Sequence, residues 1–207
     1  MKIKSAKFET SCVTYDQTKS LQPIPQIAFV GRSNVGKSSL LNALVNQKNL
    51  AVTSSTPGRT RLINFFRIQY AVRDVNLELF FVDLPGYGYA QASKNTQAGW
   101  GENITEFLTK SRPLRHVFVL LDIRHKPSPH DVAMLHFLQS HQISFSIIAT
   151  KCDKVPRSKL HTHLKDLTSY LGLGRDDIIM SSVVDKLGTS EIINKIIQSM
   201  RVGLSST

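Results

Sequence analysis

The segment from Gly31 to Ser38 reads GRSNVGKS and matches the pattern G-x-x-x-x-G-K-[ST]. An apolar run, residues 27–30, precedes it, and a helix-forming run, residues 39–45, follows it. A strand–loop–helix unit of this kind turns backbone N–H groups and the positive end of a helix dipole toward a phosphate group. Lys37 can place its ammonium between β- and γ-phosphates, and the Ser38 hydroxyl can ligate Mg²⁺. The segment therefore predicts a nucleotide-binding P-loop rather than a chance glycine- and serine-rich turn.

The rest of the chain alternates between predicted strands and helices. Apolar runs predict six strands, at residues 27–30, 61–70, 77–82, 116–122, 143–149 and 177–180. Helical patterns predict five helices. One follows the P-loop to about residue 48, and another starts at the N-cap Ser128 and has Val132, Leu135 and Leu138 on its apolar face. The other three lie at residues 102–112, 160–171 and 192–200. This alternation predicts an α/β fold: a mostly parallel six-stranded sheet with helices on both faces, as in P-loop NTPases.

The length of 207 residues predicts a single domain, spanning residues 1–207. Residues 1–24 are expected to form an N-terminal extension or an edge strand that includes Phe8, Val13 and Tyr15. Residues 73–76 are polar and predict the turn of a hairpin between two strands.

Composition and charge limit the cellular setting and the class of partner. Two cysteines do not make a disulfide framework, and the first residues lack the apolar segment of a signal peptide, so we expect a cytoplasmic protein. No apolar run approaches the roughly 20 residues that span a bilayer, so no stable membrane insertion is expected. The net charge of +11 favours a polyanionic partner, either nucleic acid or an anionic membrane, over a surface that is basic by chance. A monomer is expected.

Two further stretches would complete a phosphate site. Asp83-Leu84-Pro85-Gly86 follows a predicted strand, so its carboxylate can hold Mg²⁺ through water while the Gly86 N–H meets a γ-phosphate. The small polar loop 53–60 offers Thr60 as a second Mg²⁺ ligand, with Thr56 as the competing candidate. Thr60 is preferred because Pro57-Gly58 would form the turn that presents it. Lys37, Thr60 and Gly86 are the candidate catalytic residues.

The stretch Thr150-Lys151-Cys152-Asp153 distinguishes guanine from adenine. The Asp153 carboxylate can accept hydrogen bonds from the guanine N1–H and 2-amino group, and adenine offers neither donor. The aliphatic stem of Lys151 can lie along the base, and the backbone of residues 181–183 can close over the guanine edge. A solvated turn with a capping aspartate is the alternative interpretation of residues 150–153 alone.

The segments GRSNVGKSS, TPGRT, DLPGYGYA, TKCD and SSV occur in this order and span about the whole chain. Together they resemble the EngB (YihA/YsxC) family of small bacterial GTPases, within the Era/EngA/TrmE group of translation-linked GTPases, and residues 122–125 resemble that family too. The resemblance implies the small G-protein fold, GTP and Mg²⁺ binding, slow GTP hydrolysis, assembly of the large ribosomal subunit, and a link to cell division and septation. It implies Mg²⁺ ligation by Ser38 and Thr60. The GTP contacts that it implies are Gly31, Arg32, Ser33, Asn34, Val35, Gly36, Lys37, Ser38, Gly58, Arg59, Thr60, Arg61, Leu62, Asp83, Leu84, Pro85, Gly86, Thr150, Lys151, Cys152, Asp153, Ser181, Ser182 and Val183.

Several positions depart from the usual GTPase pattern. Thr150 replaces the usual Asn and lacks its amide, which predicts modest affinity for the base. Tyr87 stands where most GTPases carry a water-orienting Gln, and Gln91 is the one nearby substitute, so slow hydrolysis and a switch function are expected. GTP would order the loops around Thr60 and Gly86, and the basic surface would then engage ribosomal RNA. The side-chain carbonyl oxygen of Asn34 could ligate K⁺ beside the phosphates. Alternatively, Asn34 could merely tolerate the backbone angles of the loop.

Two other functions fit parts of the pattern. A P-loop kinase would share the phosphate site, but residues 150–153 and the lack of a lid segment argue against it. A membrane-associated division protein would share the basic charge, but no basic amphipathic helix is found.

Overall fold

Strands and helices alternate along the part of the chain that the computed structural model describes, namely residues 2–51, 62–72, 75–87 and 100–202. The strands are β1 Lys2–Cys12, β2 Gln26–Gly31, β3 Ile63–Val72, β4 Val75–Asp83, β5 Leu114–Asp122, β6 Phe145–Thr150 and β7 Ile178–Met180. The helices are α1 Tyr15–Thr18, α2 Lys37–Leu44, α3 Glu102–Lys110, α4 Pro129–Ser140, α5 Arg157–Leu171 and α6 Thr189–Val202.

One sheet contains all of these strands, in the order β1-β3-β4-β2-β5-β6-β7. The pairs from β4 to β7 are parallel, whereas β3 runs antiparallel to both β1 and β4. The prediction of an α/β fold with a mostly parallel sheet is confirmed. The predicted count of six strands is one short, because the N-terminal residues add β1 at the edge of the sheet.

The edge position of β1 explains why its sequence pattern is weak. It pairs on one side only, and two register shifts interrupt its pairing with β3, so the alternation of apolar residues is broken. Phe8 lies in β1 as expected, although it is 54% exposed. The placement of Val13 and Tyr15 in the same strand was wrong, because β1 ends at Cys12 and Tyr15 begins α1.

Helices cover both faces of the sheet, and the alternating residues of β2 show how the core divides. Ala28 and Val30 contribute to a core that also contains buried residues of α3, α4 and α5. Ile27 and Phe29 contribute to a second core with residues of α2 and α6. Because β2 is buried on both faces, it reads as a continuous apolar run. In the described ranges, no helix is long and apolar enough to cross a membrane.

Three local predictions differ from the structure. The helix after the P-loop was expected to reach about residue 48, but it ends at Leu44, and Asn46 adopts a φ of 51°. A left-handed residue of this kind commonly terminates a helix. In α4, Met134 is fully buried, whereas Val132 is half-buried. β3 and β4 form the expected hairpin, but β4 begins at Val75, so residues 75–76 of the predicted turn belong to the strand, and residues 73–74 lie outside the described residues.

The carboxyl ends of neighbouring strands gather the predicted site residues at one edge of the sheet. β2 ends at Gly31, β4 at Asp83, β5 at Asp122 and β6 at Thr150. In sheets of this type, ligands bind outside the carboxyl ends of the parallel strands. Gly31 and Thr150, which are 119 positions apart in the sequence, are thereby placed at the same edge.

His116 lies near the opposite end of β5 and is 1% exposed. Its Nδ1 lies 2.9 Å from the Ser144 hydroxyl, and its Nε2 lies 3.0 Å from the Ser146 hydroxyl. The ring packs edge-on against Phe118. Burial, with a smaller effect from the charge of Lys195, lowers the pKa of His116 from 6.5 to about 4. The folded protein therefore holds this imidazole in its neutral form.

We expect the free energy of unfolding to fall by about 3 kcal/mol as the pH decreases from 6.5 to 4. Over this interval, His116 binds a proton in the unfolded chain but stays mostly neutral in the folded protein. Urea denaturation at a series of pH values measures the slope. His116→Gln should flatten it, whereas His130→Gln, at an exposed histidine of α4, should not. An unchanged slope in His116→Gln would show that other groups cause the acid destabilisation.

Candidate nucleotide-binding site

The P-loop joins β2 to α2, and its two glycines are required for different reasons. A Cβ at Gly31 would lie 2.8 Å from the carbonyl oxygen of Leu120, so a side chain has no room there. Gly36 has a φ of 104°, which L-residues rarely adopt. Asn34 also has a positive φ, of 63°, which asparagine tolerates better than most residues. The sequence between the strand and the helix thus encodes a tightly wound loop.

Lys37 and Asp83, which the sequence separates by 46 positions, form an ion pair at this loop. Lys37 is the first residue of α2, and Asp83 is the last residue of β4, paired in register with Phe29 of β2. Their side chains are only 12% and 11% exposed. The structure therefore brings together the predicted phosphate-binding ammonium and the predicted carboxylate of the Mg²⁺ site.

The turn after β4 packs directly against the P-loop. A Cβ at Gly86 would lie 3.1 Å from both the backbone nitrogen and the hydroxyl of Ser33. The Leu84 N–H donates to the carbonyl of Phe29 at 3.1 Å, which holds the start of the turn to β2. These contacts place the Gly86 backbone against the P-loop, and its contact with a γ-phosphate stays a prediction.

Thr150 connects the end of β6 to the P-loop. Its hydroxyl lies 2.7 Å from the carbonyl oxygen of Val35 and 3.1 Å from that of Leu121, and can donate to either. The residue is 5% exposed. Thr150 therefore supports the loop through its side chain, a role that its type alone did not reveal.

Lys151 reaches across the loop as well. Its Nζ donates to the carbonyl oxygen of Asn34 at 2.6 Å and lies 3.0 Å from Oδ2 of Asp122. Asp122 also accepts two hydrogen bonds from the Arg124 guanidinium, at 2.9 and 2.7 Å. Burial alone would raise the pKa of Asp122, but the hydrogen bonds from Arg124 and Lys151 hold it well below its usual range. The ionised carboxylate fixes Lys151 in position, and sequence reasoning had assigned Asp122 no role.

Asp153 and the segment 181–183 form one unit. The Ser182 hydroxyl donates to Oδ1 of Asp153 at 3.1 Å, and Lys154 lies 3.2 Å from Oδ2. Burial raises the pKa of Asp153, but hydrogen bonds from Lys154 and Ser182 outweigh it and lower the pKa below its usual value. The Cys152 N–H donates to the carbonyl of Ser181 at 3.1 Å. The carboxylate is therefore ionised and oriented, as reading a guanine edge requires.

Some predicted contacts can involve only the backbone. The side chains of Val35, Leu84 and Cys152 are 4%, 0% and 4% exposed, so they belong to the core. Val183 is 40% exposed, and Leu62 is half-buried. The remaining predicted residues of the loop before β3, together with Gln91, lie outside the described residues: Thr56, Gly58, Arg59, Thr60 and Arg61.

Tyr87 is buried after the turn that follows β4. The residue is 2% exposed, and its hydroxyl donates to Oδ1 of Asp131 in α4 at 2.8 Å. A hydroxyl that is engaged in this way is not free to orient a water molecule. The geometry agrees with the expectation that Tyr87 does not replace the water-orienting Gln.

The geometry of this site is accompanied by similarity to known proteins over most of the chain. A family model described as "50S ribosome-binding GTPase" matches residues 26–151. A protein of Thermoanaerobacter pseudethanolicus named "Probable GTP-binding protein EngB" is 41% identical, with 94% of this chain and 97% of that protein covered. A protein of the same name from Streptococcus gordonii is 48% identical, with 80% and 81% covered.

The fold is also found among solved structures. The crystal structure of a probable GTP-binding protein engB superposes with a TM-score of 0.62 at 22% identity, with 85% of this chain and 98% of that chain covered. The shared fold agrees with the arrangement of strand ends, P-loop and guanine motif described above. The family model matches more than half of the chain, and both relatives are more than 40% identical over most of its length. The chain therefore belongs to the EngB family of GTP-binding proteins.

Proposed function

We propose that this protein binds and slowly hydrolyses GTP, and that the bound nucleotide controls its association with the large ribosomal subunit during assembly. One observation carries the nucleotide part of the proposal. Thr150 and Lys151 each bond to a carbonyl of the P-loop, at Val35 and Asn34, so the phosphate cradle and the guanine motif form one connected unit. Membership of the EngB family supports GTP as the ligand.

The residues at the phosphate site fit Mg²⁺, which prefers oxygen ligands and keeps several waters. Ser38 offers a hydroxyl at the start of α2, and Asp83 offers a carboxylate that would act through water. Waters and phosphate oxygens would complete the ligand set, as is usual for Mg²⁺. Thr60 is the proposed second protein ligand. Bound Mg²⁺ would neutralise charge on the β- and γ-phosphates.

Slow hydrolysis follows from the side chains around the γ-phosphate position. Lys37 would stabilise negative charge there, and the Gly86 N–H would donate to a γ-phosphate oxygen. The Tyr87 hydroxyl is committed to Asp131 and cannot orient the attacking water. Without a carboxamide at this position, a partner or a cation has to supply part of the missing stabilisation. The protein then acts as a switch whose state lasts for many binding events.

The ribosomal part of the proposal rests on charge and on the matched family model. The net charge of +11 exceeds what one nucleotide requires. Arg32 and Lys126 are exposed cations beside the site, and Arg157 is a further exposed cation at the start of α5. Such side chains suit the phosphate groups of ribosomal RNA. The role in cell division stays a prediction from the family resemblance.

Binding to purified large subunits should require a GTP analogue and should weaken steeply with added salt, because phosphate contacts release counterions. Co-sedimentation with the GTP analogue, with GDP and at several salt concentrations measures this. Lys37→Ala, which removes the phosphate-binding ammonium, is the control that should fail to respond to nucleotide. Anionic liposomes form a parallel arm. Equal subunit binding with GDP, or preferential binding to liposomes, would contradict the proposal.

Asp153→Asn should change the base preference from guanine to xanthine. Xanthine carries a carbonyl where guanine carries its 2-amino group, and the Asn amide can donate to it. We expect GDP affinity to fall by about 100-fold, while XDP becomes the better ligand. Asp166→Asn, at an exposed position of α5, is the matched control. If Asp153→Asn still prefers GDP, another residue reads the base.

K⁺ is proposed as a further cofactor, with Asn34 as its ligand. GTP hydrolysis should be faster in K⁺ than in Na⁺ at equal ionic strength, on the order of 100-fold if the cation supplies one stabilising charge. Asn34→Gly removes the carboxamide while accepting the φ of 63° without strain. Loss of K⁺ stimulation in this variant supports a ligand role. Retained stimulation would mean that Asn34 serves only the shape of the loop.

A further inference from the structure

Tyr87 and Asp131 form a buried hydrogen bond between the turn after β4 and helix α4. Tyr87 is 2% exposed and Asp131 is 3% exposed. The tyrosine hydroxyl donates to Oδ1 of Asp131 at 2.8 Å, and the backbone N–H and hydroxyl of Ser128 both donate to Oδ2 at 2.7 Å. Both oxygens of this carboxylate are therefore occupied, and Ser128 fixes its orientation at the start of α4. A hydrogen bond to a buried carboxylate is of the strong, charge-assisted kind.

The same tyrosine fixes one side of the Gly86 peptide, whose N–H is the proposed donor to the γ-phosphate. It directly follows Gly86, whose backbone packs against Ser33 of the P-loop. Tyr87 also forms a parallel β-bridge with Arg32, the second residue of the P-loop. The peptide of Gly86 is thus held between β4 on one side and an anchored Tyr87 on the other. A displacement of Tyr87 has to move the Gly86 N–H relative to the phosphate cradle.

Trp100 extends this packing and provides a probe for it. Its ring lies 6.2 Å from the ring of Tyr87, and it meets Phe137 of α4 edge-to-face at 5.6 Å. It is 4% exposed and is the only tryptophan in the chain. Its fluorescence therefore reports on the environment of Tyr87 without a label. Residues 87 and 100 both pack against α4.

We propose that Tyr87 is a positioning residue for GTP: its hydrogen bond to Asp131 holds the Gly86 N–H where it meets the γ-phosphate. The inference rests on the proposed GTP-binding function and deepens it. GDP has no γ-phosphate, so the anchor contributes to the affinity for GTP and not to that for GDP. Residue 87 therefore determines which nucleotide state the protein prefers, although its side chain does not contact the nucleotide.

The test compares the dissociation constants of GDP and of a non-hydrolysable GTP analogue in wild type and in Tyr87→Phe. The substitution keeps the ring and removes the hydroxyl. We expect affinity for the analogue to fall about tenfold, because the hydrogen bond from the Gly86 N–H to the charged γ-phosphate is weakened. Affinity for GDP should change less than about twofold. Trp100 emission should be the same in GDP-bound wild type and GDP-bound Tyr87→Phe, which would show that the ring of residue 87 keeps its packing.

Two further variants separate positioning from general stability. Tyr70→Phe removes another buried tyrosine hydroxyl, which bonds to the carbonyl of Leu44 at 3.3 Å, and should leave the ratio of the two affinities unchanged. Asp131→Asn replaces the charged acceptor with a neutral one and should shift the ratio in the same direction as Tyr87→Phe. In the double variant Tyr87→Phe/Asp131→Asn, the affinity ratio should shift no further than in the more affected single variant. Both substitutions act on the same hydrogen bond, between Tyr87 and Asp131.

The outcomes distinguish this inference from the proposed function. An equal loss of GDP and analogue affinity in Tyr87→Phe, or an unchanged ratio in both single variants, would overturn the positioning role while leaving GTP binding intact. Failure of the wild type to bind guanine nucleotides would overturn the proposed function itself. Tighter analogue binding in Tyr87→Phe would show that the bond favours the GDP-bound arrangement, which also contradicts the inference.

Discussion

The constraint on which the site depends is the need to satisfy the carbonyl groups of the P-loop. A loop that turns its N–H groups inward to hold phosphate directs carbonyl oxygens outward, where they need donors. The end of β6 supplies them: Thr150 donates to the carbonyl of Val35, and Lys151 donates to that of Asn34. The same segment continues to Asp153, so the groups that stabilise the loop and the proposed base-reading carboxylate belong to one short stretch of the chain. The proposed recognition of phosphate and the proposed recognition of guanine would therefore be structurally linked.

The partly buried charges around this loop, Lys37, Asp83, Asp122 and Lys151, are arranged in pairs. Lys37 faces Asp83, and Lys151 and Arg124 face Asp122. Partly buried charges are costly unless they are paired, so each pair offsets the cost of burying its members. The pairs differ in use. Asp122 serves to hold Lys151, whereas Lys37 and Asp83 are both candidate ligands of the nucleotide and its cation.

The sequence predicted the features that are local and periodic, and missed those that depend on tertiary contacts. The P-loop and the buried strand β2 are contiguous, so their patterns identify the fold and the centre of the site. The hydrogen bond from Tyr87 to Asp131 joins residues 44 positions apart, so no local sequence pattern predicts it. Asp122 was noted only as part of a family-like stretch, because its role depends on Lys151, which directly follows the neighbouring strand β6. The strand β1 was left out of the count since an edge strand that is half exposed needs no strict alternation.

The pairing of β1 with β3 has a consequence for the order in which the protein forms. Cys12 lies opposite Ile63, and Lys2 lies opposite Ala71, so β1 has no partner until β3 is synthesised, more than fifty residues later. Until then its backbone is open on both sides, a state that invites pairing with other chains. Lysines at positions 2, 4 and 7 and the two register shifts make such pairing unfavourable. The N-terminal strand thus carries its own protection against aggregation during synthesis, and it closes the sheet only after the P-loop and β2 have emerged.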